Sequence, residues 1–119
     1  VTNPLGNDFG LTVGHTDSGA ETVARWAKSA KVVKAFNTTG MENMADPVYG
    51  EQRVVMPICG DDEGAVDVAA RMASDLGFDV VKAGPLRNAR LIEPFGRLWI
   101  ELALVRGLGR NIGWGLLRR

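Results

Sequence analysis

Three short runs rich in β-branched and aromatic residues, at positions 32–36, 53–59 and 78–83, alternate with stretches whose apolar residues recur at helical spacing. Strands interleaved with helices pack as a layered α/β fold around a mainly parallel sheet, so this alternation limits the chain more than any other feature. The 119 residues supply one domain, spanning 1–119, and leave no room for two independent cores. At 45% hydrophobic and 24% charged residues the chain has enough apolar material to form that core.

Local signals place the elements. Residues 1–19 read as a long surface connection. Ser18 and Glu21 have the spacing of a capping box and predict a helix over residues 19–28, with Val23 and Trp26 facing inward. The first strand runs into Asn37, Thr38, Thr39 and Gly40, and a short helix over residues 40–45 is closed by Pro47 and Gly50. Pro57 has no ladder donor and is expected to put the second strand at an edge or to make it irregular. Asp61 caps a helix with Ala65, Val66, Ala69, Met72, Ala73 and Leu76 on its inner face, stopped by Gly77. Gly84 and Pro85 open a longer helix with an apolar stripe of Leu91, Phe95, Leu98, Trp99 and Leu102, kinked at Pro94. Gly107 and Gly109 break it, and residues 111–118 form a last amphipathic turn or two. Lys34 is expected on an exposed face, and Glu93 with Arg97 as an ion pair on the helix surface.

Composition excludes several classes of function. Fourteen basic residues balance fourteen acidic ones, and the seven arginines between positions 84 and 119 scatter around several helical faces, which argues against a nucleic-acid binder. The single cysteine, Cys59, cannot form an internal disulfide or a multi-cysteine metal site, and a reducing, cytoplasmic setting is the expectation. No apolar stretch approaches the roughly 20 residues of a membrane helix, and no membrane partner is expected. The chain starts at Val1 without a signal-peptide pattern and reads as part of something longer.

Several apparent motifs have plainer explanations. Gly107, Gly109 and Gly113 follow a helix rather than a strand and are an interhelical turn, not a dinucleotide fingerprint. Asp8, Phe9 and Gly10 form a turn. His15, Asp17, Ser18 and Glu21 lie too close in sequence to converge as a triad, and Asp61, Asp62 and Glu63 sit where a helix dipole favours acids. No catalytic side chain and no metal site is assigned. Asn37, Thr38 and Thr39 are more informative, because small polar residues at the carboxyl end of a parallel strand lie where open α/β sheets bind ligands. Thr2, Asn3 and Pro4 follow the same logic if residue 1 ends a strand.

The segments Thr2 to Leu5 (TNPL), Val32 to Thr38 (VVKAFNT), Ile58 to Asp62 (ICGDD), Ala83 to Leu86 (AGPL) and Ala89 to Pro94 (ARLIEP) resemble the deazaflavin-dependent NADP reductase family. The cytosolic domain of the six-transmembrane metalloreductases is similar too. The resemblance spans nearly the whole chain and implies the C-terminal part of a Rossmann-like domain, lacking the GxGxxG half, with flanking helices and a C-terminal helical segment. It implies NADP or NAD as cofactor, a flavin or deazaflavin as ring-stacking hydride acceptor, and Asn3, Pro4, Asn37, Thr38, Thr39 and Met41 as cofactor-binding residues. Asn37 and Gly40 stand where the deazaflavin enzymes have histidine and proline, which leaves the acceptor open. Nicotinamide performs hydride transfer itself, so the lack of a triad is no objection. The expected activity is that of an NAD(P)-dependent oxidoreductase, weak or inactive as a fragment. A homo-oligomer is expected, with the stripe around Trp99, together with Trp114, serving either as the dimer surface or as core. The alternative is a non-enzymatic half-domain that acts by pairing with itself or another chain.

Overall fold

A computed structural model describes residues 2–119; the strand end expected at residue 1 lies outside the described residues. The elements in chain order are α1 (Gly19–Trp26), β1 (Val33–Lys34), α2 (Met41–Ala45), β2 (Val48–Tyr49), β3 (Gln52–Arg53), β4 (Val55–Gly60), α3 (Glu63–Asp75), β5 (Asp79–Lys82) and α4 (Ala89–Ile100). A 3-10 turn, Leu86–Asn88, leads into α4, and a π-helical turn, Glu101–Val105, follows it.

The fold is mixed α/β, but its sheet is not mainly parallel. Strand order is β1-β4-β5, with β4 parallel to β5 and antiparallel to β1. The connections explain this. A parallel pair needs a long crossover, and the 13-residue α3 supplies one between β4 and β5. Between β1 and β4 the only helix is the five-residue α2, followed by the β2–β3 hairpin that turns at Gly50, so the chain enters β4 in the opposite direction.

Pro57 lies in the central strand, not at an edge. The Val54 and Ile58 carbonyls face β5, where they accept from the Asp79 and Ala83 amides, while the Val55 N–H points the other way, to the Trp114 carbonyl at 2.8 Å. Alternation puts the missing N–H of Pro57 on the Val55 side, between the last residue of β1 and the C-terminal segment. No ladder bond is lost there.

Each face of the sheet carries a core. Ala35, Val54, Met56, Ile58, Val66, Ala73 and Phe78 pack under α3, and Ala20, Cys59, Leu86, Ala89 and Ile92 pack under α1 and α4. Burial pushes the Cys59 thiol up to about 11, as suits an inert core residue. Asp62, one residue beyond the expected Asp61, caps α3 through the Ala65 amide, and Asp61 accepts instead from the Leu86 amide. Met72 and Leu76 are exposed, as are Val23 and Trp26 of α1.

The inward face of α4 also differs from the expected stripe. Ala89, Ile92, Glu93, Gly96, Trp99 and Ala103 are buried, whereas Leu91 and Leu98 are exposed. Small residues at 89, 96 and 103 let the helix approach its neighbours closely, and this outweighs the larger apolar area on the adjoining face. After the π-helical turn no further helix forms among the described residues. Gly107 and Gly109 adopt left-handed φ values, and residues 111–119 form no regular element but contact Asn43, Val55 and Asp79, with Trp114 stacked on Phe95 at a centroid distance of 4.7 Å. Among the described residues no helix is long and apolar enough to cross a membrane.

Met56 is fully buried beneath α3 and also receives the Phe36 N–H on its sulfur. Met56→Ala should cost about 2–5 kcal/mol of unfolding free energy, measured by urea titration.

Candidate functional site

The candidate site begins where β1 stops. Continuing its register would set Phe36 opposite Pro57, which has no N–H to offer. Phe36 instead takes a left-handed φ of 58° and turns the chain so that Asn37 and Thr38 point inward. Asn37 and Thr38 therefore follow a strand antiparallel to its neighbour, not a parallel one as expected.

Asn37 and Asn3 meet across 34 residues of sequence. The Asn37 side-chain amide donates to Asn3 Oδ1 at 2.9 Å and to the Ile92 carbonyl at 3.2 Å, and the Asn3 side-chain amide donates back to the Asn37 carbonyl at 3.2 Å. This clasp rests on Gly96 of α4. A Cβ at position 96 would lie 2.5 Å from the Asn37 carbonyl oxygen and 3.1 Å from Asn3 Oδ1, so only glycine permits the approach.

The remaining predicted residues surround the clasp unequally. Pro4 follows Asn3 directly, and its carbonyl accepts from the Thr12 amide and hydroxyl, which pins the turn between Leu5 and Leu11. Thr38 is fully buried, and among the described residues neither its hydroxyl nor Asn37 Oδ1 has a partner. Thr39 Oγ1 accepts from Asn43 Nδ2 at 2.6 Å, and Asn43 also donates to the Ile112 carbonyl and accepts from the Tyr49 hydroxyl. Met41, at the start of α2, is 74% exposed. Trp99 packs beneath Gly40 and donates to the same Ile112 carbonyl, so the C-terminal segment holds the loop that leads to Met41.

Sequence reasoning missed the charges behind the clasp. Lys34 and Glu93, expected on exposed faces, are 2% and 1% exposed and form an ion pair at 2.8 Å. Lys34 also donates to the Thr2 carbonyl, and Glu93 accepts from the Gly19 and Ala20 amides at the start of α1. Arg97 pairs with Glu101, not with Glu93. The available signal was a lysine inside an apolar strand and a glutamate in line with Ala89 and Gly96 on one helical face.

Around α1 half of the expected capping box forms: the Glu21 amide donates to Ser18 Oγ, but the Glu21 carboxylate accepts from the Ser18 hydroxyl rather than from the Ser18 backbone amide. Arg90 holds that carboxylate with two bonds and keeps its pKa below the ordinary range. A forked bond from Arg25 takes Asp17 down to about 2. His15 lies on the exposed loop, and among the described residues no three His, Cys, Asp or Glu side chains could hold a metal ion.

No protein-family model matches the sequence. Among solved structures, a candidate F420-dependent NADP reductase from Arthrobacter sp. FB24 is similar at 31% identity and a TM-score of 0.86, over 98% of this chain and 55% of that one. The resemblance to the deazaflavin-dependent NADP reductase family holds. A hypothetical protein from Sinorhizobium meliloti is similar at 25% identity and a TM-score of 0.67, over 98% of this chain and 52% of that one. This chain thus spans about half the length of the proteins it matches. In the reductase resemblance the TNPL segment and the VVKAFNT segment are separate sequence blocks; here they meet through Asn3 and Asn37.

Two outcomes follow. Gly96→Ala should destabilise the fold by about 1–3 kcal/mol in urea, because neither the Asn37 backbone nor α4 can yield freely. Glu21 has a lowered pKa, so its contribution to stability is present above the unfolded value of 4.5 and is lost as pH falls below it. Acid unfolding of Glu21→Gln should therefore show a shallower loss of stability below that pH than the unmodified chain.

Proposed function

We propose that this chain is the C-terminal, nicotinamide-facing part of an NAD(P)-dependent oxidoreductase in which hydride passes between nicotinamide and a flavin or deazaflavin acceptor. The observation that carries the reading is the clasp of Asn3 and Asn37 with its two unpartnered polar atoms. A nicotinamide carboxamide presents two N–H donors and one carbonyl acceptor. Among the described residues Asn37 Oδ1 lacks a donor and the Thr38 hydroxyl lacks a partner, so the residues present suit that group. Both atoms are buried, and reaching them requires the loop over residues 37–41 to open.

The nicotinamide ring supplies the hydride chemistry when bound. The chain's task is to orient and to exclude water. Asn3, Asn37 and Thr38 would fix the carboxamide, Pro4 would border it, and Thr39 would set the loop that puts Met41 on the rim toward the acceptor. NADP and a deazaflavin acceptor are favoured by the description of the Arthrobacter protein as F420-dependent and NADP-linked.

Neither α1 nor α3 offers its start to a diphosphate among the described residues. The amides at the start of α1 are taken by Glu93 and Ser18, and those of α3 are capped by Asp62. The 119 residues alone should bind dinucleotide weakly.

A second reading, self-association without catalysis, is favoured by an apolar groove between β4, β5 and α4, formed by Val55, Pro57, Val81, Leu91, Phe95 and Leu116. A concentration-independent monomer in analytical ultracentrifugation would remove it.

The catalytic reading is tested by NMR titration with reduced nicotinamide mononucleotide, which needs no diphosphate grip. At millimolar ligand the amide signals of Asn3, Asn37, Thr38 and Thr39 should shift, and Asn37→Ala should weaken binding about tenfold. Shifts confined to other surfaces, or none, would defeat the proposal.

A further inference from the structure

Replacing a buried ion pair by apolar side chains is often neutral or stabilising, so the pair formed by Lys34 and Glu93 is not explained by stability alone. Its partners suggest what it does. Lys34 reaches the carbonyl of Thr2, the residue before Asn3, and lies three residues before Asn37 on the same stretch of chain. Glu93 follows Ile92, whose carbonyl holds the Asn37 side chain, and lies one turn before Gly96, on which the clasp rests. Every segment that contributes to the clasp is thus tied to one of these two charges.

We propose that Lys34 and Glu93 are positioning residues that hold Asn3 against Asn37 in the arrangement the nicotinamide site requires, a role that rests on the nicotinamide reading above. Neither reaches the ring. Lys34 acts through the Thr2 carbonyl, and Glu93 acts by holding the Lys34 ammonium while fixing the start of α1. The competing explanation is that the pair only caps α1.

The double variant Lys34→Met/Glu93→Gln separates these roles. Glutamine has one oxygen where the carboxylate has two, so it caps only one of the Gly19 and Ala20 amides. No charge is left unpaired, and the variant should stay folded with a melting point lowered by about 5–10 °C. It loses the tether to Thr2 and one α1 cap, and the cap is read separately from exchange of the Gly19 and Ala20 amides. The side-chain amide resonances of Asn3 and Asn37 should then lose their dispersion and exchange protection, and affinity for reduced nicotinamide mononucleotide should fall about tenfold or more. A folded double variant with unchanged Asn3 and Asn37 signals would overturn the proposal and leave capping as the role of the pair.

In the unmodified chain the Lys34 ammonium protons should exchange slowly enough to be observed and should show a contact to Thr2. Fast exchange would also overturn the proposal, whether or not the double variant folds. If the unmodified chain shows both the protected ammonium and the clasp but no response to the nucleotide, the nicotinamide reading fails while the tether stands.

Discussion

The Glu93 carboxylate gathers an ammonium from β1 and two amides from the start of α1 while standing on α4. A carboxylate taken out of water needs its hydrogen bonds met, and here they are met only if these three elements converge. That requirement fixes which face of α4 turns inward. It also fixes where α1 begins, and it draws the segment at Thr2 beside β1 through the second donor of Lys34. The small residues on the same face, Ala89, Gly96 and Ala103, allow the approach, but they would not select this arrangement by themselves.

Much of the fold was legible in short-range signals. The cap at Ser18, the helix of α3 and its end at Gly77, the strand at β5 and the short α2 follow from the energetics of nearby residues, and all form close to where the sequence places them. What failed was decided at longer range. Strand direction depended on the length of the helix between β1 and β4. The inward face of α4 was misjudged because area favours Leu91 and Leu98, whereas close approach and the buried carboxylate favour Gly96 and Glu93. Lys34 looked like a surface residue because its partner lies 59 residues away.

The candidate site shows the same division. Asn37 and Thr38 stood out as polar residues at a strand end, but the turn that brings them inward comes from the left-handed Phe36, where the β1 register would otherwise meet Pro57. The meeting of Asn3 with Asn37 is a tertiary contact that no local pattern announces. The family resemblance grouped the two residues as cofactor-binding without placing them in contact.

The C-terminal segment affects the order of events during synthesis. The Ile112 carbonyl joins Asn43 across 69 residues, and the Trp114 carbonyl closes the open side of β4 at Val55. These bonds cannot form while the segment is still inside the ribosome. The nascent sheet therefore emerges with Val55 unpaired and the loop beside Thr39 untethered, and it stays vulnerable to mispairing until the late residues arrive and complete the edge.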